Sequence, residues 1–155
     1  MHIGDCVHKL VEAIDNLPEA IAITDGKDDR DGKYLEYAKQ YGNSPVNEKL
    51  YSACWDLKTT LPFLMAVRRE HFEAIGGYDE DFTGQSFDDD DLVTRLEMYG
   101  CEYVNTNARC IHLYHDRQIP SKQQNSRLQH NTELFHARYG MVLRNVNKEW
   151  GKECN

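Results

Sequence analysis

Long apolar runs, basic clusters and cysteine pairs are all scarce in this sequence, and each scarcity excludes something. No apolar run approaches the roughly 20 residues of a membrane span. No basic segment followed by an apolar core stands at the N-terminus, so no secretory leader is expected. Lys and Arg number 18 against 26 Asp and Glu, for a formal charge of −8. Nucleic-acid binding rests on Lys and Arg facing phosphates, so this balance excludes it. Basic residues are scattered apart from Arg68 and Arg69. A phosphate-bearing substrate would therefore need a divalent cation to offset like-charge repulsion. The five cysteines (Cys6, Cys54, Cys101, Cys110, Cys154) are odd in number and lack C-x-x-C spacing. They read as free thiols of a reducing compartment rather than a disulfide frame or zinc site. A soluble, cytoplasmic chain is the expectation.

At 155 residues and 40% apolar, the chain has the size of one globular domain, 1–155, able to bury a core without cross-links. Val7, Leu10, Val11 and Ile14 make a helical stripe over 6–17, which Pro18 closes. Residues 20–24 form a short apolar segment bounded by Asp25 and Gly26, a buried strand. A short helix is expected over 34–41 and a loop over 42–49. The continuous apolar run at 61–67 predicts a central strand, and 69–75 a helical turn or two ended by Gly76 and Gly77. A second clear helix spans 89–99, closed by Gly100. Strands at 102–105 and 108–113 flank a turn at 105–107. A third helix at 126–139, stopped by Gly140, is expected to pack back on the sheet. Strands alternating with helices make the class α/β, with a mixed sheet flanked by helices.

The charged stretch 25–32 invites comparison with a calcium loop. Aligning Asp29, Asp31 and Gly32 on that pattern puts Lys27 at the first ligand position and Ala38 at the last, and the match fails. A solvated turn is expected instead. Trp55 could line a sugar subsite, but lone tryptophans are usually packing residues, so the core is its expected place.

Everything else is arranged around residues 76–115. Asp88, Asp89, Asp90 and Asp91 run straight into an amphipathic segment carrying Leu92, Leu96 and Tyr99. Ser86 and Asp89 fit a capping box, and carboxylates suit the positive end of a helix dipole. Capping accounts for two acidic residues and leaves four in a row unexplained. A carboxylate held beside others gains proton affinity and becomes a better general base. His112 and His115 follow. Residues three apart on a strand face opposite ways, so both could hold one metal only where the strand ends and curls.

In this order, these pieces resemble the C-terminal half of glycosyltransferases of the GT-A fold. The similarity is greatest to the family 2 enzymes and the galactosyltransferase C-terminal domain. It covers 61–140 and is carried by the apolar segment, Arg69, Phe72, the run from Ile75 to Phe82, Asp88 to Leu92, Arg95, Leu96, Gly100 and His115. The resemblance implies that Asp89 is the base that deprotonates an acceptor hydroxyl. It implies acceptor contacts from Asp88 and Asp90, and metal ligation by His115 with His112 as a second ligand. Manganese is the favoured divalent ion, with magnesium as the alternative. The implied partners are a nucleotide-sugar donor and a glycan or other hydroxyl acceptor, and the implied transfer inverts the anomeric centre.

The pattern has departures. Gln85, Ser86 and Phe87 stand where many relatives carry Trp-Gly-Gly, and Pro62 and Phe63 where galactosyltransferases place a glycine pair. A galactose specificity is therefore not implied. No Asp-x-Asp preceded by an apolar strand is seen, so the nucleotide-binding N-terminal half is expected to be missing. The sheet should then expose an edge, giving a homo-oligomer or association with the missing half. Against the transferase stands a second class of function, a non-catalytic module that binds a glycan or a protein.

Overall fold

The computed structural model describes residues 1–42, 46–57, 64–83, 86–116 and 122–140. In chain order the elements are β1 (His2–Ile3), α1 (Cys6–Asn16), β2 (Ala20–Asp28), α2 (Lys33–Tyr41), α3 (Glu48–Ala53), β3 (Trp55–Asp56), β4 (Met65–Ala66), α4 (Arg69–Ala74), α5 (Asp88–Tyr99), β5 (Glu102–His112) and α6 (Lys122–Tyr139). They form an α/β fold around one mixed five-stranded sheet, ordered β1-β5-β2-β3, with β4 also on β2. The long central pair, β2 and β5, is parallel from Ala20↔Glu102 to Asp28↔His112. β1, β3 and β4 are short antiparallel additions.

Alternation along β2 decides what covers each face. Ile21 and Ile23 pack with Leu92 and Leu96 of α5 and with Cys101. Ala22 and Ala108 turn the other way, toward Cys6 and Leu10 of α1. The small alanine side chains let α1 lie close on the sheet. A third cluster (Ile3, Tyr34, Tyr51, Ile111) seats α2 and α3 near the far end of β5. Because α5 turns through Gly100 directly into β5, it runs back along the sheet. Its acidic amino end is thus directed toward the carboxyl ends of β2 and β5, the usual place for a ligand in such sheets.

The structure corrects several sequence expectations. β2 does not stop at Thr24 but continues through Gly26 to Asp28, because β5 pairs with it all the way. At Gly26 a Cβ would come within 2.8 Å of the Leu57 side-chain end, which would have to move aside. Stretch 25–32 is not a solvated turn either, since Asp28 and Asp29 are 5% and 1% exposed. Asp29 accepts the amides of Tyr34 and Leu35 at 3.1 and 2.8 Å, starting α2 from a distance in sequence. The expected turn at 105–107 is an irregularity within one strand. There the Thr106 hydroxyl donates to the Ile23 carbonyl, and Asn105 Oδ1 accepts the Asn107 amide, so side chains replace the interrupted ladder. Of the expected strand 61–67, residues 61–63 lie outside the described residues. Of the rest, Met65–Ala66 pairs, among the described residues, with β2 alone, at an edge of the sheet rather than in its centre. Trp55 is 61% exposed, on β3, and is not a core residue. α6 buries Phe135 against Phe82 and Phe87 instead of packing on the sheet.

Among the described residues, no helix is long and apolar enough to cross a membrane. Cys6, Cys54, Cys101 and Cys110 are free. Along residues 102–108, β5 has a strand partner on one side only among the described residues.

Candidate active site

β5 ends at His112, and the chain curls, so His115 swings back beside it. The two Nε2 atoms stand 3.3 Å apart. His112 Nδ1 lies 3.1 Å from Asp28 Oδ1, and His115 Nδ1 lies 3.3 Å from the Asp116 carbonyl oxygen. Both of those partners are acceptors, so each Nδ1 carries the proton. The two Nε2 atoms thus face one another, and a shared proton or a metal ion between them would satisfy both. A separation near 3 Å is also that of two neighbouring ligands with metal–nitrogen bonds of about 2.1 Å. The Asp28 contact to His112 is the carboxylate–histidine support seen behind metal-ligating imidazoles.

The histidines share a cavity of about 430 Å³ with Asp28, Asp29, Arg30 and Tyr114. Burial would raise the Asp28 pKa, but hydrogen bonds from His112 and Arg30 outweigh it and hold the carboxyl below its ordinary range. Asp29 is occupied by the α2 amides. His115 is exposed rather than sealed in apolar packing. Among the described residues, no group of three or more His, Cys, Asp or Glu side chains is arranged to hold a metal ion. The protein thus offers two nitrogens, and further coordination would come from water or substrate. Sequence reasoning passed over Asp28 and Arg30. The available signal was an acidic tail directly following the apolar strand 20–24.

The aspartate run lies outside the walls of that cavity. It opens α5 after two left-handed residues, Ser86 (φ 79°) and Phe87 (φ 70°). No side chain caps the helix, so the expected box between Ser86 and Asp89 does not form. Left-handed backbone at two successive non-glycine residues costs on the order of 1–2 kcal/mol each, so packing must hold it. α6 supplies that support. Asn131, fully buried, accepts the Thr83 amide (3.0 Å) and donates to the carbonyls of Thr83 (3.2 Å) and Ser86 (2.8 Å). Phe87 packs on Phe135 with ring centres 5.2 Å apart.

The four aspartates have different surroundings. Asp91, fully buried, takes Arg95 Nε at 2.7 Å, the Tyr139 hydroxyl at 2.6 Å and Arg138 at 3.3 Å. Burial first, and then Asp91, pushes the Tyr139 pKa up to about 12. The expected bond from Arg95 to Asp91 is present. Asp90 is buried, at 3% exposure. Asp88 and Asp89 are half-buried. Asp89 accepts the Tyr78 hydroxyl at 2.8 Å. Desolvation, with help from Asp88, raises its pKa, and the Tyr78 hydrogen bond offsets part of that rise. Tyr78 is delivered by the Gly76–Gly77 turn. There Gly77 sits at φ +70°, and a Cβ would come within 3.1 Å of the Phe72 ring.

Residues 56–116 match the model of a family described as the N-terminal domain of galactosyltransferase. No curated protein and no solved structure matches the chain. The matched segment holds α4, α5, β5 and both histidines, and leaves out β2 with Asp28 and Arg30. The family description names an N-terminal domain, whereas the motif order resembles a C-terminal half; the relationship to galactosyltransferases is common to both. With its five-stranded mixed sheet flanked by helices, the chain carries a glycosyltransferase-related domain.

Proposed function

We propose that the chain takes part in transferring a sugar from a nucleotide-sugar to a hydroxyl acceptor, with inversion, as the acceptor-side half of a GT-A enzyme. The observation that carries this reading is the convergence of His112 and His115 at 3.3 Å, backed by Asp28. A divalent ion bound there, manganese by preference or magnesium, would offset the charge of the leaving diphosphate. His112 and His115 would hold it, with Asp28 fixing the His112 ring. Asp89 would accept the acceptor hydroxyl proton, and its raised pKa supports that task. Tyr78 would keep the carboxylate aimed, and Asp88 would contact the acceptor.

The single-domain reading, with the nucleotide-binding half supplied elsewhere, belongs to the same proposal. The one-sided stretch of β5 is where a second copy or that missing half would pair. A second reading, a non-catalytic glycan- or protein-binding module, is favoured by one observation: Asp89 does not line the histidine cavity. Hydrolysis of nucleotide-sugars by the chain, with and without manganese, separates the two. Manganese-dependent hydrolysis that disappears in His115→Ala supports the transferase. Glycan binding that persists without manganese, with no hydrolysis of any donor, would favour the module.

A further inference from the structure

Arg30 stands in the histidine cavity with no task in the scheme above. Its Nε donates to Asp28 Oδ2 at 3.0 Å, and its guanidinium carbon lies 4.6 Å from the centre of the Trp55 ring. Trp55 is held by the register Asp28↔Trp55 between β2 and β3, yet it stays 61% exposed. Backbone pairing thus places Trp55 beside Arg30, and its exposed ring lies against the guanidinium. Two contacts, a carboxylate at the edge and an indole at the face, set the plane of the guanidinium. The Nη1 and Nη2 groups make no hydrogen bond with any described residue.

Arg30 is ion-paired like its basic neighbours, but only through Nε to Asp28, which leaves its Nη groups open. Lys27 is paired with Asp56, Lys33 with Asp31, and Arg109 with both oxygens of Glu48. Among the described residues lining the cavity, Arg30 is the one Lys or Arg. In a chain of net charge −8, a guanidinium oriented beside the two histidines is a candidate centre for an anion, with Asp28 and Asp29 on the same wall. Its fork of donors matches phosphate oxygens.

We propose that Arg30 is a phosphate-binding residue: its Nη groups take oxygens of a diphosphate presented beside His112 and His115, and Trp55 and Asp28 hold it in position. The inference rests on the nucleotide-sugar reading and adds a second positive centre to it. Arg30's side chain is 56% exposed, and buried Asp28 keeps His112 as a partner when Arg30 is replaced.

Calorimetric titration with inorganic pyrophosphate in the presence of manganese tests this, alongside titration with manganese alone. Arg30→Ala should weaken pyrophosphate binding by about tenfold or more, the range of a hydrogen bond to a charged group. Binding of manganese alone should change much less, and Arg30→Lys should regain part of the pyrophosphate affinity. Equal pyrophosphate affinity in the parent and Arg30→Ala would overturn the assignment and leave the nucleotide-sugar reading standing. Parallel loss of manganese and pyrophosphate binding would overturn it too, since Arg30 would then act only through Asp28 on the histidines. If the parent itself binds no pyrophosphate, the reading of the site falls, and the inference with it.

Discussion

His112 and His115 face each other through Nε2 atoms 3.3 Å apart, and both outward nitrogens already have acceptors. The facing Nε2 atoms can share a proton or a metal ion, and with Asp28 behind His112 the metal is the occupant to test. Manganese titrated into the protein and followed by electron paramagnetic resonance should therefore bind at one site. Either histidine replaced by alanine should abolish that binding. Asp28→Asn should weaken it by about 10- to 100-fold, the usual effect of losing a supporting carboxylate. Manganese binding unaltered by all three changes would place the ion elsewhere.

Asp91 is expected to matter for folding rather than chemistry. It is fully buried and gathers Arg95, Arg138 and Tyr139, tying α5 to α6. Asp91→Asn takes from Arg95 its carboxylate partner, while Arg138 keeps Asp79 and Asp81. Removing one partner of a buried ion pair costs about 3–5 kcal/mol. Here Arg95 and Arg138 are partly exposed, so the lower end is expected. Chemical denaturation should show the loss, with the metal site intact in the fraction that stays folded.

α5 was legible because its signals were local: four acidic residues, a regular apolar stripe and a terminal glycine. The class of fold was legible for the same reason, since apolar segments of strand and helix length alternate. What lay hidden depended on partners distant in sequence. Residues 25–28 join β2 because β5 runs beside them, and Asp29 is buried because α2 needs its oxygens. The break at 105–107 resembles a turn in sequence, yet the side chains of Asn105 and Thr106 bridge it. The histidine pair was legible through family resemblance only. Strand periodicity puts residues three apart on opposite faces, and that rule lapses just where β5 ends. Trp55 was misplaced because its exposure comes from a two-residue strand at the sheet edge, which no periodicity announces.

The left-handed pair before α5 gives a prediction of opposite signs. Ser86 sits at φ 79° with no side-chain bond to the helix, so Ser86→Gly should stabilise the protein by about 1 kcal/mol or be neutral. Asn131→Ala removes three hydrogen bonds from the same loop. It should cost about 2 kcal/mol or more, because the Thr83 and Ser86 groups lose their buried partner. Melting of the two variants reads both effects. No destabilisation in Asn131→Ala would show that the loop is held by something other than α6.

Asp89 should be a residue whose charged form works against stability. Its folded-state pKa is raised, first by desolvation and then by Asp88, with Tyr78 opposing. The sign follows from linkage: the folded chain holds this proton more tightly than the unfolded chain does. Stability from this group is greatest below the ordinary carboxylate range and is lost as pH rises through the raised folded value. At neutral pH, Asp89→Asn should therefore be neutral or stabilising, the reverse of Asp91→Asn. Tyr78→Phe removes the hydrogen bond that favours the carboxylate, so it should move the Asp89 titration higher still, as followed by carboxyl carbon NMR. In the complete transferase, Asp89→Asn should lower transfer by about two or more orders of magnitude, the share of a general base, with donor binding nearly unchanged. A side chain whose loss stabilises the fold and removes the chemistry is behaving as a base. Full transfer activity in Asp89→Asn would remove it from that role, and Asp88 would be the next aspartate to replace.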